Sequence, residues 1–145
     1  MISFADPHGL RLELIGSEHG AYQSEAVEQK GVNRHQIRGF HSATALVRSK
    51  EATETLLTDA MGLRFLAREE DRFRFAMEND EGLGRFYDLT VDPKAPNGRQ
   101  GTGTVHHIAF RTKSDADQIT WQQTLQKAGQ SVSALRERNY FKSIY

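Results

Sequence analysis

Two stretches of the chain follow the same plan, and this repetition constrains the fold more than any other feature. "GFHSATALV" and "GTVHHIAF" are each rich in strand-forming residues, and each precedes a helical pattern that ends at a glycine. His41 lies 21 positions before the first of these glycines, Gly62, and His107 lies 22 positions before the second, Gly129. The near-equal spacing predicts two related units, each opening with a strand and a helix.

The residues after each helix predict further short strands. In the first unit the candidate strands are residues 63–69, 72–77 and 84–91. Residues 92–104 are rich in proline and glycine and are predicted to form a loop between the units. In the second unit, Ser114 and Asp117 have the spacing of a capping box at a helix start, and strands are expected across residues 131–135 and 139–145. We therefore expect an α+β protein of paired βαβββ units that form a curved mixed sheet, the second unit being one strand short.

The N-terminal residues show a separate pattern. Asp6, Pro7 and Gly9 supply turn chemistry, and leucines then alternate with charged residues over residues 10–14, which predicts a strand. The polar residues 16–38 show weak periodicity and are predicted to be a linker. The chain thus divides into a strand-forming segment at 1–15, a linker at 16–38 and the repeated region at 39–145.

Composition argues against several partners. The 19 basic and 19 acidic side chains balance, so no net field draws the protein to nucleic acid or to an anionic membrane. The sequence has no apolar run of a length that spans a bilayer. It also has no cysteine, which excludes a disulfide framework and thiolate zinc ligands and fits a reducing compartment. We expect a cytoplasmic protein that binds neither nucleic acid nor membranes.

The two units place histidines at equivalent positions. His41 and His107 open the first strand of each unit, and related strands bring equivalent residues together across a shared concave surface. Because side chains alternate along a strand, His106 and His107 point to opposite faces. Two imidazoles and one carboxylate form the facial triad that holds ferrous iron. From the residues alone the carboxylate stays open among Asp88, Glu69 and Glu13.

The motifs together resemble a known family. "GFHSATALV", "GTVHHIAF", "RNYFKSIY" and "FADPHGLRLEL" resemble the ring-cleaving dioxygenase branch of the vicinal oxygen chelate superfamily, which includes glyoxalases, bleomycin resistance proteins and extradiol dioxygenases. The resemblance covers nearly all of the chain. It implies that residues 1–15 are the final strand of a first module, 16–38 a linker, and 39–145 a second module that ends before its own last strand.

The resemblance also implies the roles of site residues. In the superfamily, a histidine that opens the first strand of each half and a glutamate on the last strand hold the metal, which points to His41 and His107 and leaves His106 outside the site. Tyr145 matches the opening tyrosine of the extradiol signature and is expected to donate a hydrogen bond to the substrate. "DPHGLRLE" matches the later part of that signature, so Glu13 is expected to be the third ligand.

The two parts of the extradiol signature lie at opposite ends of the chain, with Tyr145 at one end and "DPHGLRLE" near the other. This division suggests how the second unit is completed. We expect the strand at residues 10–14 to fill the vacant place of the last strand of that unit, within the same molecule or in a homodimer that exchanges strands.

The expected activity is that of an Fe(II)-dependent extradiol-type dioxygenase, which cleaves a catechol-like or hydroquinone-like ring with dioxygen. One alternative is a glyoxalase-like isomerase or thiol transferase that uses zinc, nickel or manganese at the same ligands. Another is a metal-free module that binds an aromatic drug and confers resistance. An inactive remnant of the family is the last alternative.

Overall fold

The computed structural model describes residues 1–16, 37, 39–77 and 82–145. The predicted linker therefore lies almost wholly outside the described residues. The elements in chain order are β1 (Ile2–Ala5), β2 (Arg11–Leu14), β3 (Ser42–Val47), α1 (Glu51–Thr55), β4 (Arg64–Glu69), β5 (Arg72–Ala76), β6 (Phe86–Val91), α2 (Asp115–Lys127), β7 (Arg136–Glu137) and β8 (Lys142–Ser143). Helices and a mixed sheet confirm the predicted α+β class. No helix in the described ranges is long and apolar enough to cross a membrane.

The first unit, residues 39–91, forms a four-stranded sheet in the order β3-β6-β5-β4. β3 runs parallel to β6, and the other neighbours are antiparallel. Helix α1 continues as a π-helical turn over Leu56–Ala60, and the chain leaves it through Gly62, whose φ of +69° is a conformation that favours glycine. The strand–helix–three-strand order predicted for this unit is confirmed.

The sheet of the first unit has two chemically different faces. The face under the helix carries Phe73, Phe75 and Leu89, which form the buried hydrophobic cluster together with Leu57 of the helical segment and Leu63 just before β4. Side chains alternate along a strand, so the neighbouring residues of β5 and β6 point to the opposite face. That opposite face brings Arg74 level with Asp88 and Ala76 level with Phe86. We call it the open face of the first sheet.

The second unit, residues 103–145, is built around α2. As predicted, the Ser114 hydroxyl accepts a hydrogen bond from the Asp117 amide at 3.1 Å, and Gly129 follows the helix with a φ of +80°. β7 and β8 pair antiparallel, but they are shorter than expected and β7 begins after the predicted 131–135 range.

The second unit is predicted to open with a strand, for which the pattern VHHIAFRT spans residues 105–112, but these residues belong to no sheet within the described part of the chain. The first unit shows the reason, because there the equivalent strand β3 pairs with β6. The second unit has no counterpart of β6 among the described residues. A strand-forming segment with no neighbouring strand cannot form the backbone hydrogen bonds of a sheet.

The N-terminal residues form a hairpin of β1 and β2 with Ile2 opposite Leu14. The Asp6 carboxylate closes the turn by accepting hydrogen bonds from the amides of His8 and Leu10 at 2.8 and 2.9 Å. The expectation that residues 10–14 fill the second unit of the same molecule is therefore wrong for this chain. β2 pairs with β1, and these two strands form a sheet of their own among the described residues. Exchange with a partner chain stays a prediction.

Candidate functional site

A buried carboxylate lies at the centre of the open face. Asp88 has no exposed surface. Its two oxygens accept hydrogen bonds from Arg74 Nε at 2.9 Å and Arg74 Nη2 at 2.8 Å, and Arg72 Nη1 lies 3.3 Å from Oδ2. A bidentate guanidinium contact is the strong form of this interaction, and it compensates for burial of the charge.

Arg72 extends this network to the N-terminal hairpin. Its Nη1 donates to Glu13 Oε2 at 2.9 Å, and its Nη2 pairs with Glu13 Oε1. The hydrogen bonds from Arg72 hold the pKa of Glu13 below its usual value, and the same pair raises the pKa of Arg72. The Arg72 guanidinium therefore contacts both carboxylate oxygens of Glu13, the predicted third ligand.

His41 lies beside this network, one residue before β3. Its Nδ1 is 3.2 Å from the Ser42 hydroxyl, and its ring centroid is 4.9 Å from that of Phe86. The guanidinium carbons of Arg74 and Arg85 lie 5.2 and 4.6 Å from the centre of the same Phe86 ring. Burial and then Arg74 lower the pKa of His41, which favours the neutral imidazole.

His107 lies in the second unit and contacts Tyr145. Their ring centroids are 4.9 Å apart with an interplanar angle of 60°, and the His106 ring is 3.9 Å from that of His107. Arg138 Nη2 lies 3.4 Å from the Tyr145 hydroxyl. Two of the four predicted site residues are thus in contact with each other.

The predicted metal ligands are not assembled in this arrangement. Two imidazoles and a carboxylate are a donor set that suits ferrous iron. However, residues 1–16, 37, 39–77 and 82–145 contain no group of three or more ligating side chains that could hold a metal ion. Since Glu13 is committed to Arg72, the residues do not fit a metal as they stand, and we derive no chemical step through one. His41, His107 and Glu13 stay a prediction as ligands.

Sequence reasoning does not single out Arg72 and Arg74, because charged residues that alternate along a strand are typical of a solvent-facing side. The structure instead places both against the buried Asp88. A carboxylate within the apolar stretch of β6, in a sheet that also carries two alternating arginines, was the available signal. Its partners could not be assigned before the strand order was known.

The comparisons with known proteins identify the family of the chain. The family model described as Glyoxalase/Bleomycin resistance protein/Dioxygenase superfamily matches residues 39–145. The chain belongs to this superfamily. The matched range contains both units but not the N-terminal hairpin. The match confirms the family resemblance seen in the motifs.

Two curated relatives carry functional names. The chain is 38% identical over 144 residues to "Putative ring-cleaving dioxygenase MhqO" of Bacillus subtilis, a match that covers 99% of this chain and 45% of that protein. It is 30% identical over 112 residues to a chlorohydroquinone/hydroquinone 1,2-dioxygenase of Sphingobium indicum, covering 75% of this chain and 35% of that protein. The chain thus spans less than half the length of these relatives.

Solved structures show the same fold. A crystal structure of a "putative dioxygenase" from Bacillus subtilis matches with a TM-score of 0.83 and 38% identity, covering 99% of this chain and 45% of that one. Lactoylglutathione lyase from Agrobacterium tumefaciens matches with a TM-score of 0.56 at 14% identity, covering 76% of this chain and 85% of that one. The second likeness bears on the fold alone.

Proposed function

We propose that the protein acts as a metal-dependent, extradiol-type dioxygenase that cleaves a catechol-like or hydroquinone-like ring with dioxygen, with Fe(II) as its metal. One observation carries the proposal: the similarity to a relative named as a ring-cleaving dioxygenase extends over 99% of this chain. A second relative, at lower identity, is named for a hydroquinone substrate. These names describe the relatives, and the activity of this chain is our inference.

Within this proposal His41 and His107 are the imidazole ligands, one from each unit. Glu13 is the proposed carboxylate ligand, and it would have to exchange Arg72 for the metal. Tyr145 is the proposed hydrogen-bond donor to a phenolic oxygen of the substrate. Support for that role comes from its ring contact with His107 and from its hydroxyl beside Arg138.

The test combines iron content with oxygen uptake. Protein loaded anaerobically with ferrous iron is mixed with a panel of catechols and hydroquinones, and oxygen consumption is followed together with ring-cleaved product. We expect turnover with iron, loss of iron and turnover in His107→Ala, and retention of both in His106→Ala, the matched control at the neighbouring histidine, which the family pattern leaves outside the site. Zinc or nickel binding with isomerase activity would favour the glyoxalase-like alternative, and tight binding of an aromatic drug without metal would favour the resistance module.

We also propose a cytoplasmic homodimer. Support for a partner chain comes from large apolar side chains of the second unit that face solvent, including Val105 at 65% exposure and Phe141 at 61%. Light scattering at several protein concentrations tests this: a mass twice that of the chain is expected, and a monomer throughout contradicts it.

A further inference from the structure

The turn of the N-terminal hairpin lies directly against the second unit. Gly103 has a φ of +80°, and a Cβ at this position would lie 1.9 Å from the His8 carbonyl oxygen and 2.8 Å from its carbon. These are backbone atoms, so they could not move aside as the end of a flexible side chain can. Only glycine lets the hairpin turn and this first residue of the second unit approach so closely.

The strand end of the same hairpin lies against the first unit. Glu13 on β2 pairs with Arg72 on β5, a residue 59 positions later in the chain. Arg72 is in turn hydrogen-bonded to Asp88, which is fully buried in the sheet. The hairpin therefore contacts a rigid, central part of the first unit through a charged pair of low exposure.

Each of these two contacts lies near one of the repeat-equivalent histidines. Gly103 is four residues before His107 and lies in a turn over residues 101–104, in which the Thr104 amide donates to the Gly101 carbonyl at 3.3 Å. The network around Asp88 reaches His41 through Arg74 and the Phe86 ring. The first contact is thus linked to His107 along the chain, and the second is linked to His41 through packed side chains.

We propose that the N-terminal hairpin, residues 2–14, is a clamp that bridges the two units and sets the position of His41 relative to His107. In the metal-free chain Glu13 and Arg72 hold the clamp in place, because their pair connects the hairpin to the first unit. The clamp does not depend on the proposed activity, since both contacts exist within the polypeptide.

The first test measures the separation of the two units in the full chain without metal. The sequence has no cysteine, so cysteines introduced at the exposed residues Arg64 and Gln123 carry the only spin labels. In this background, Glu13→Gln and Gly103→Ala should each shift and broaden the distance distribution measured by pulsed electron paramagnetic resonance. Unchanged distributions in both variants would overturn the clamp.

Matched controls separate the clamp from general disruption. Gly129 has the same φ of +80° as Gly103 but nothing within 4 Å of an added Cβ, so Gly129→Ala carries the backbone strain without the clash. Arg11→Gln removes an exposed charge from the same strand as Glu13. Both controls should keep the parent distribution, and circular dichroism confirms that all variants are folded. Equal broadening in the controls would contradict the proposal.

The second test removes the same pair from its other side. Arg72→Gln in the spin-labelled background keeps Glu13 and takes away its partner. The clamp predicts that the distance distribution shifts and broadens as it does in Glu13→Gln. An unchanged distribution in Arg72→Gln beside a changed one in Glu13→Gln would overturn the role of the pair. Neither outcome depends on iron, so the proposed function stands or falls separately by its own test.

Discussion

The two units share a sequence plan but differ in how completely they are packed. Of the described hydrophobic residues that are buried, six belong to the first unit and the remaining one, Ala95, lies in the loop that follows; the six are Leu57, Leu63, Phe73, Phe75, Ala76 and Leu89. In the second unit, α2 instead buries Gln118, whose side-chain amide donates to the Lys142 carbonyl at 3.0 Å. Similar sequence patterns have therefore produced unequal cores.

The difference follows from one strand. β6 lies between β3 and β5, and it supplies both the buried Leu89 of the helix face and the buried Asp88 of the open face. Such a central strand is covered on both sides and joins its neighbours into one sheet. The described second unit has no equivalent, so residues 105–112 and the β7–β8 pair are not joined by a ladder. A repeat of this kind becomes a packed unit only when its central strand is in place.

The largest expected effect comes from truncating the core of the first unit. Phe75 has no exposed surface, and Phe75→Ala should lower the free energy of unfolding by about 3–5 kcal/mol. The matched change Phe141→Ala in the second unit removes a ring that is 61% exposed and should cost well under ~1 kcal/mol. Urea denaturation measures both, and similar losses would show that the two units are packed alike.

The charged pairs of the two units provide a second contrast. Asp88→Asn weakens the charged hydrogen bonds of a buried carboxylate and should cost about 1.5–3 kcal/mol. Asp115→Asn breaks a pair with Lys142 on the surface of the second unit, a kind of contact that contributes about 0–1 kcal/mol. Equal effects in urea denaturation would contradict the burial difference on which the comparison depends.

A helix cap tests whether the second unit folds separately. Ser114→Ala removes the hydroxyl that caps α2 and should destabilise the helix by about 1 kcal/mol. Hydrogen exchange should show faster exchange in α2 and no change in the sheet of the first unit, because the buried hydrophobic cluster consists of first-unit residues. Faster exchange in β5 and β6 would mean that the two units unfold together.

The smallest effect concerns the pH dependence of the Glu13 pair. The pKa of Glu13 is held below its ordinary value of 4.5, so the stabilisation from Arg72 is fully present above that value and is lost as the pH falls through the lowered pKa. The stability difference between the parent protein and Glu13→Gln should therefore be about 0.2–1 kcal/mol at neutral pH and vanish in acid. A difference that grows on acidification would reverse the assigned sign.

The sequence was sufficient for features that depend on local chemistry. The glycines at 62 and 129 end their helical segments, the Ser114 cap forms, and all four strands of the first unit lie close to their predicted ranges. Each of these depends on neighbours in the chain or on simple alternation. They therefore required no knowledge of the tertiary structure.

Features that depend on distant partners could not be predicted in the same way. The pattern of residues 105–112 is that of a strand, but a strand forms only when another lies beside it. The pairing of Glu13 with Arg72 joins residues 59 positions apart, and nothing in either local pattern specifies the other. The assignment of Glu13 as a ligand likewise came from a motif, and the motif carries no information on which cation the carboxylate meets in the folded chain.

Hydrogen exchange on the full chain tests most sharply whether any strand pairs with residues 105–112, which join no sheet among the described residues. At protein concentrations at which the chain is monomeric, we expect slow exchange in β5 and β6 and rapid, unprotected exchange across residues 105–112. Strong protection of residues 105–112 in the monomer would show that another strand of the same chain pairs with them, and it would overturn the contrast between the two units.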